Sequence, residues 1–117
     1  MEKYAEYIDA WAKREKALQR QVARKAKEIK STLPAISQKL KSFGAQEVII
    51  FGSYAKGEFT AGSDLDIAAK KLPEGKYLHA IIAVEKLLKS VQISFDLILY
   101  ERAYPWVKEQ IDQGRKI

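Results

Sequence analysis

Glu47-Val48-Ile49-Ile50-Phe51-Gly52-Ser53-Tyr54-Ala55-Lys56-Gly57, followed after a short gap by Ser63-Asp64-Leu65-Asp66-Ile67, is the part of this chain from which the rest can be read. Glu47–Phe51 is short, apolar and largely β-branched, the pattern of a buried strand. Gly52 ends it, and a residue without Cβ lets the backbone bend sharply and lets a ligand come close. Ser53 adds a hydroxyl and an N–H at the start of a short helical turn, where free N–H groups favour anions. Lys56 supplies a point charge and Gly57 closes the turn. A triphosphate suits such a bend.

The second half of the stretch carries carboxylates. In a strand, alternate residues share a face, so Asp64 and Asp66 lie on one side and Leu65 and Ile67 on the other. Two carboxylates one pleat apart repel unless a cation lies between them. Oxygen-only ligation suits Mg²⁺, which takes one or two carboxylates together with substrate phosphates. A pair of such ions clamps the attacking and leaving oxygens of an in-line displacement. A third aspartate, Asp96, opens another apolar run, Phe95-Asp96-Leu97-Ile98-Leu99. On a neighbouring strand it would complete the metal shell or take the proton of an attacking hydroxyl. With no cysteine and one histidine in the chain, soft-metal sites have almost no ligands available.

The order of these pieces resembles the minimal nucleotidyltransferase (MNT) proteins of the DNA polymerase beta-like nucleotidyltransferase superfamily. That family pattern is Gly-Ser, a gap of about ten, Asp-x-Asp, then an acidic residue on a later strand. Here the matching positions are Gly52, Ser53, Asp64, Asp66 and Asp96, and the likeness covers residues 33–117. It implies a mixed-sheet α/β fold of about three strands packed with helices, an Mg²⁺–ATP substrate with two ions, and transfer of AMP to a hydroxyl. The implied catalytic and metal-binding residues are Asp64, Asp66 and Asp96. The implied nucleotide contacts are Gly52, Ser53, Lys56 and Ser63. Many small relatives resemble the antitoxin of a toxin–antitoxin pair and adenylylate a tyrosine of a HEPN-domain toxin, which makes a HEPN protein the expected partner. Many also carry arginine at the position of Lys56 or Tyr54, and lysine lacks the planar fork that grips phosphate in bidentate fashion. Two other readings keep the same fold: an aminoglycoside-type small-molecule nucleotidyltransferase, and a non-catalytic antitoxin that neutralises its partner by covering it.

With 117 residues the chain is read as one domain, comprising a basic helical arm at 1–32 and a core at 33–117. No apolar run has the length of a membrane span and no signal-peptide pattern is seen, so a cytoplasmic setting is expected. The net charge of +6 lies in the arm: residues 1–43 hold 11 Lys/Arg against 5 Asp/Glu, whereas residues 44–117 hold 10 of each.

The arm is rich in Ala, Lys, Glu and Arg and lacks glycine before Gly44, as a long helix would. Tyr4, Ile8, Trp11, Leu18, Val22, Ile29, Leu33, Ile36 and Leu40 recur at steps near three and four as one stripe, interrupted by Glu15 and Lys25. Pro34 is expected to kink or restart the helix near Thr32 or Leu33, and Gly44 to stop it. Leu33–Phe43 should pack on the sheet, whereas Tyr4–Val22 exceeds what a three-stranded core can cover. That surplus either folds along the domain with a solvated basic face or forms a seam for a second copy or a partner. A stripe edged by Arg14, Arg20, Arg24 and Lys27 suits a protein better than bare nucleic acid, and no RNA-stacking motif appears. Further along, Tyr77–Leu88 reads as an amphipathic helix, 93–100 as the third strand and 103–113 as a closing helix. His79 is assigned no chemistry. Tyr104 and Trp106, either side of Pro105, are expected to pack locally or to stack on a base.

Overall fold

The structure, a computed structural model, describes residues 2–117, with side chains from Ala5 onward. Helix α1 runs from Glu2 to Ser42. At 1.5 Å per residue it is roughly 60 Å long, matching the 62 Å long axis of the molecule. Only its second half meets the core. Ile29, Leu33, Ile36 and Leu40 are buried, while Ile8 and Trp11 are each 66% exposed and Leu18 is 43% exposed. The early helix thus does not fold along the domain; it stands away from it. Tyr4, the first residue of the expected stripe, lies outside the described side chains.

Pro34 does not restart the helix. Thr32 and Ser31 donate their hydroxyls to the Glu28 carbonyl, at 2.8 Å each, so neither caps a new helix. Pro34 sits on the solvent side of α1, between buried Leu33 and Ile36, where water can satisfy the carbonyl that loses its N–H donor. A proline inside a continuous helix still costs up to about 3 kcal/mol relative to alanine. Pro34→Ala is therefore expected to raise the urea midpoint, by about 1–3 kcal/mol of stability. An unchanged or lowered midpoint would mean the helix is broken there after all.

The helix ends as expected. Gly44 takes φ +117, its N–H bonds the Lys41 carbonyl at 3.0 Å, and the Ala45 N–H bonds the Leu40 carbonyl at 3.2 Å. That pair of bonds is the Schellman arrangement, with Ala45 and Leu40 both buried beneath it.

Four strands form one sheet in the order β3-β2-β1-β4: β1 is Glu47–Phe51, β2 Leu65–Lys70, β3 Phe95–Leu99 and β4 Arg115–Lys116. β1 pairs antiparallel with β2 and β4, and β2 pairs parallel with β3, so the sheet is mixed. A four-residue helix, α2 (Gly52–Ala55), follows β1, and α3 (Tyr77–Leu88) makes the crossover that a parallel pair requires. Val48, Ile50, Leu65, Ile67, Ala69 and Leu97 share the larger core with α1 and α3. Ile49, Phe51 and Ala68 point the other way, onto Ile111 and Val107 of α4 (Pro105–Asp112).

The fourth strand departs from the expected three. Two basic residues give no apolar alternation to read, and the strand exists because Gly114 lets the chain pass close to β1. A Cβ there would stand 2.5 Å from the Ile50 carbonyl oxygen and 2.8 Å from Ile49 Cγ2. Glu47 then ties the edge together, 3.1 Å from Lys116 and 3.4 Å from Lys70. The Lys116 hydrogen bond is the main reason its carboxyl is held below the usual range.

Candidate active site

The register of the sheet builds the site. Asp66 is the partner of Phe51 across the antiparallel pair and of Asp96 across the parallel pair. The aspartate therefore lies between the strand that leads into Gly52 and the strand that carries the third acid. β2 alternates as read: Leu65, Ile67 and Ala69 face the α1/α3 core, and Asp66 faces the other side with Ala68. Asp64 immediately precedes β2 rather than lying within it.

Gly52 is the close neighbour of that carboxylate. It adopts φ +76, and a Cβ built on it would collide with Asp66 Oδ2 and lie 3.1 Å from Asp66 Cγ. No side chain fits between the turn and the acid. Gly52 is therefore needed twice, for its backbone conformation and for the room it leaves.

Asp66 is half-buried, whereas Asp64 and Asp96 are exposed. Burial pushes the Asp66 carboxyl above its ordinary value, and the charges of Asp96 and then Asp64 push it further. The three acids are electrostatic neighbours. They do not form a closed cluster: among the described residues, no three acidic or histidine side chains stand together at metal-ligand spacing. The candidate donors are all carboxylate oxygens, that of Asp66 lying against Gly52, and oxygen donors of this kind suit a hard divalent cation.

A raised carboxyl has a stability consequence. Without metal, the folded protein binds the Asp66 proton more tightly than the unfolded chain does, so this contribution is present below the ordinary carboxylate pKa. It is lost as pH rises through the raised folded value. Relative to wild type, metal-free Asp66→Asn should thus gain stability between acid and neutral pH. Urea midpoints of both proteins in chelator across that range test it; a constant difference would show that Asp66 is not perturbed.

The other expected residues sit as follows. Ser53 lies half-buried within α2, and its carbonyl accepts the Glu58 N–H at 2.9 Å. Lys56 is exposed at the end of α2. Ser63 is engaged in its own loop: its Oγ accepts the Thr60 N–H at 3.0 Å and stands 3.1 Å from Thr60 Oγ1, fixing the bend before Asp64. Tyr104 and Trp106 do not pack locally, being 71% and 63% exposed. Their part of α4 is anchored instead by Val107 and Ile111.

Sequence reading passed over Tyr54 as a contact. Its hydroxyl reaches the Ala26 carbonyl of α1 at 3.4 Å, and its ring meets Phe59 edge-on at 5.9 Å. Burial raises its phenol, while Arg115 on β4 works against that. The turn is thus braced on the long helix. An aromatic next to Gly-Ser is the only sequence signal for this, and it does not name Ala26.

A small mixed-sheet α/β domain with a Gly-Ser turn beside paired aspartates is the class these features define. The chain belongs to the nucleotidyltransferase domain family, whose sequence pattern matches residues 29–117. No curated protein matches it in sequence. Among solved structures it is similar to a toxin–antitoxin with AMP-PNP, at 23% identity and TM-score 0.56, covering 68% of this chain and 66% of that one. The match therefore spans slightly under two thirds of that neighbour. A point mutant of the toxin–antitoxin MntA-HpeT is 25% identical, with TM-score 0.57 and coverage of 72% and 69%. A protein assigned as a minimal nucleotidyltransferase is also 25% identical, with TM-score 0.62 and coverage of 79% and 93%. Among the described residues, no helix is long and apolar enough to cross a membrane.

Proposed function

We propose that this protein transfers AMP from Mg²⁺–ATP to a hydroxyl, most simply a tyrosine of a HEPN-type toxin for which it is the antitoxin. One observation carries the chemistry: Asp66 is packed against the Gly52 turn and registered beside Asp96. The family supports a nucleotidyl transferase, and the fold shared with toxin–antitoxin structures, one of them with AMP-PNP, supports the donor and the setting.

In this reading Asp64 and Asp66 would hold Mg²⁺, with Asp96 as the third acidic residue beside them. The bound cation supplies charge neutralisation at the phosphates and at the carboxylates. Gly52 lets the phosphates approach the backbone, Ser53 contributes a hydroxyl and an N–H, and Lys56 adds a cation at the rim. Ser63, through its bonds to Thr60, fixes the loop that leads into Asp64 and would contact the nucleotide from there. Asp96, exposed near the start of β3, would accept the acceptor hydroxyl's proton as its oxygen bonds to the α-phosphorus and pyrophosphate departs.

The test is incubation with α-labelled ATP, Mg²⁺ and a HEPN protein, comparing wild type with Asp64→Asn/Asp66→Asn. Label on the partner's tyrosine, absent with the double variant, is expected. Neutralisation of the toxin by both proteins without label would leave a binding antitoxin and sink the enzyme.

A further inference from the structure

Among the described residues, the first half of α1 carries an apolar seam that the folded domain leaves largely exposed. Ile8, Trp11, Leu18 and Val22, with Glu15 between them, follow alternating steps of three and four, a 3.5-residue repeat. That repeat keeps one face of a helix turned toward another helix along its length. Tyr7 beside the seam is 75% exposed, as open as Ile8 and Trp11. The same repeat continues into Ile29 and Ile36, where the domain's own core covers it. The uncovered part is about three heptads long, enough for a helix pair.

The charge along this segment bears on what could cover it. The first nine residues hold Glu2, Glu6 and Asp9 against Lys3. From residue 10 to 27 the balance reverses, with Glu15 the sole acid against Lys13, Arg14, Lys16, Arg20 and Arg24 among others. A parallel in-register pair would set the acidic turns against each other, the basic stretch against itself and the two cores side by side; Glu15, at the centre of residues 5–25, meets its own copy in either orientation. An antiparallel pair sets the acidic turns of each copy along the basic stretch of the other. It also opposes the helix dipoles and ends the overlap where each core begins at Ile29.

We propose that residues 5–25 of α1 pair antiparallel with the same segment of a second copy of this chain, forming a dimer with one core at each end. Sedimentation equilibrium of the full chain over a wide concentration range should then show a reversible monomer–dimer equilibrium. Trp11→Glu and Leu18→Glu should each weaken it about 30-fold or more, as hot-spot residues do. Neither side chain is in the domain core, so the urea midpoint followed at Trp106 should be kept at concentrations where wild type is monomeric. Orientation is read with a spin label on Ala5→Cys, since the chain has no other cysteine. Two labels more than about 20 Å apart are expected for the antiparallel pair. A separation near the interhelix spacing of about 10 Å would mean a parallel pair and overturn the proposal. A monomer at every concentration would overturn it too, leaving the seam for a different protein.

Discussion

Asp66→Asn should reduce nucleotidyl transfer by about 10³-fold or more, equivalent to about 4 kcal/mol of transition-state stabilisation. Asparagine preserves the shape beside Gly52 but removes the charge that would hold a divalent cation between turn and sheet. Of the three aspartates Asp66 is the one enclosed by the fold, and the other two both raise its carboxyl. Lys56→Ala should be milder, about tenfold, because an exposed ammonium interacts through a largely solvent-screened field. The measurement is the rate of label transfer from α-labelled ATP at saturating Mg²⁺, together with Mg²⁺-dependent nucleotide binding by calorimetry. An Asp66→Asn protein within tenfold of wild type would remove Asp66 from the chemistry. The same variant should be the more stable protein at neutral pH without metal. Activity and stability moving in opposite directions is what a functional carboxylate among like charges predicts.

Gly52→Ala should destabilise the fold by about 3 kcal/mol: about 1–2 for placing a Cβ at positive φ, and the remainder for the collision with Asp66. Gly57 supplies the internal control. It has the same φ of +76, but a Cβ there meets nothing within 4 Å. Gly57→Ala should cost only the backbone term, about 1–2 kcal/mol. Urea denaturation of the two variants separates conformational strain from lost space. Gly52→Ala should also lose nucleotide binding, since Asp66 must move to admit the methyl group. Equal destabilisation at both positions would mean that the turn, and not the Gly52–Asp66 contact, is what requires glycine.

The brace at Tyr54 connects the site to the long helix. Tyr54 is in α2 with Gly52 and Ser53, and Ala26, whose carbonyl it reaches, lies at the boundary between the exposed seam and the buried half of α1. Lys25 one residue earlier reaches the Gln92 carbonyl at 3.4 Å. The two contacts tie the helix to the domain just where its outer half leaves the core.

The local elements were present in the chain itself. The apolar run at 47–51, the Gly-Ser turn, the Asp-x-Asp, the helix at 77–88 and the stop at Gly44 are all written in nearest-neighbour chemistry: side-chain periodicity, β-branching and glycine's backbone freedom. Through the family resemblance that the Gly-Ser and Asp-x-Asp motifs carry, the chain also pointed to the nucleotidyltransferase class and its mixed α/β architecture. Tertiary structure alone decided which residues meet. Asp66 faces Asp96 because two strands separated by a crossover helix chose one register, and it faces Gly52 because an antiparallel neighbour placed Phe51 opposite. The edge strand at Arg115–Lys116 was invisible because its cause is the close approach of Gly114 to Ile49 and Ile50, not its own composition. Pro34 stays within α1 because its face happens to meet water, and the outer stripe stays uncovered because the sheet ends before it. Periodicity tells a helix which of its faces is apolar; only the packing of distant segments determines whether anything is there to receive it.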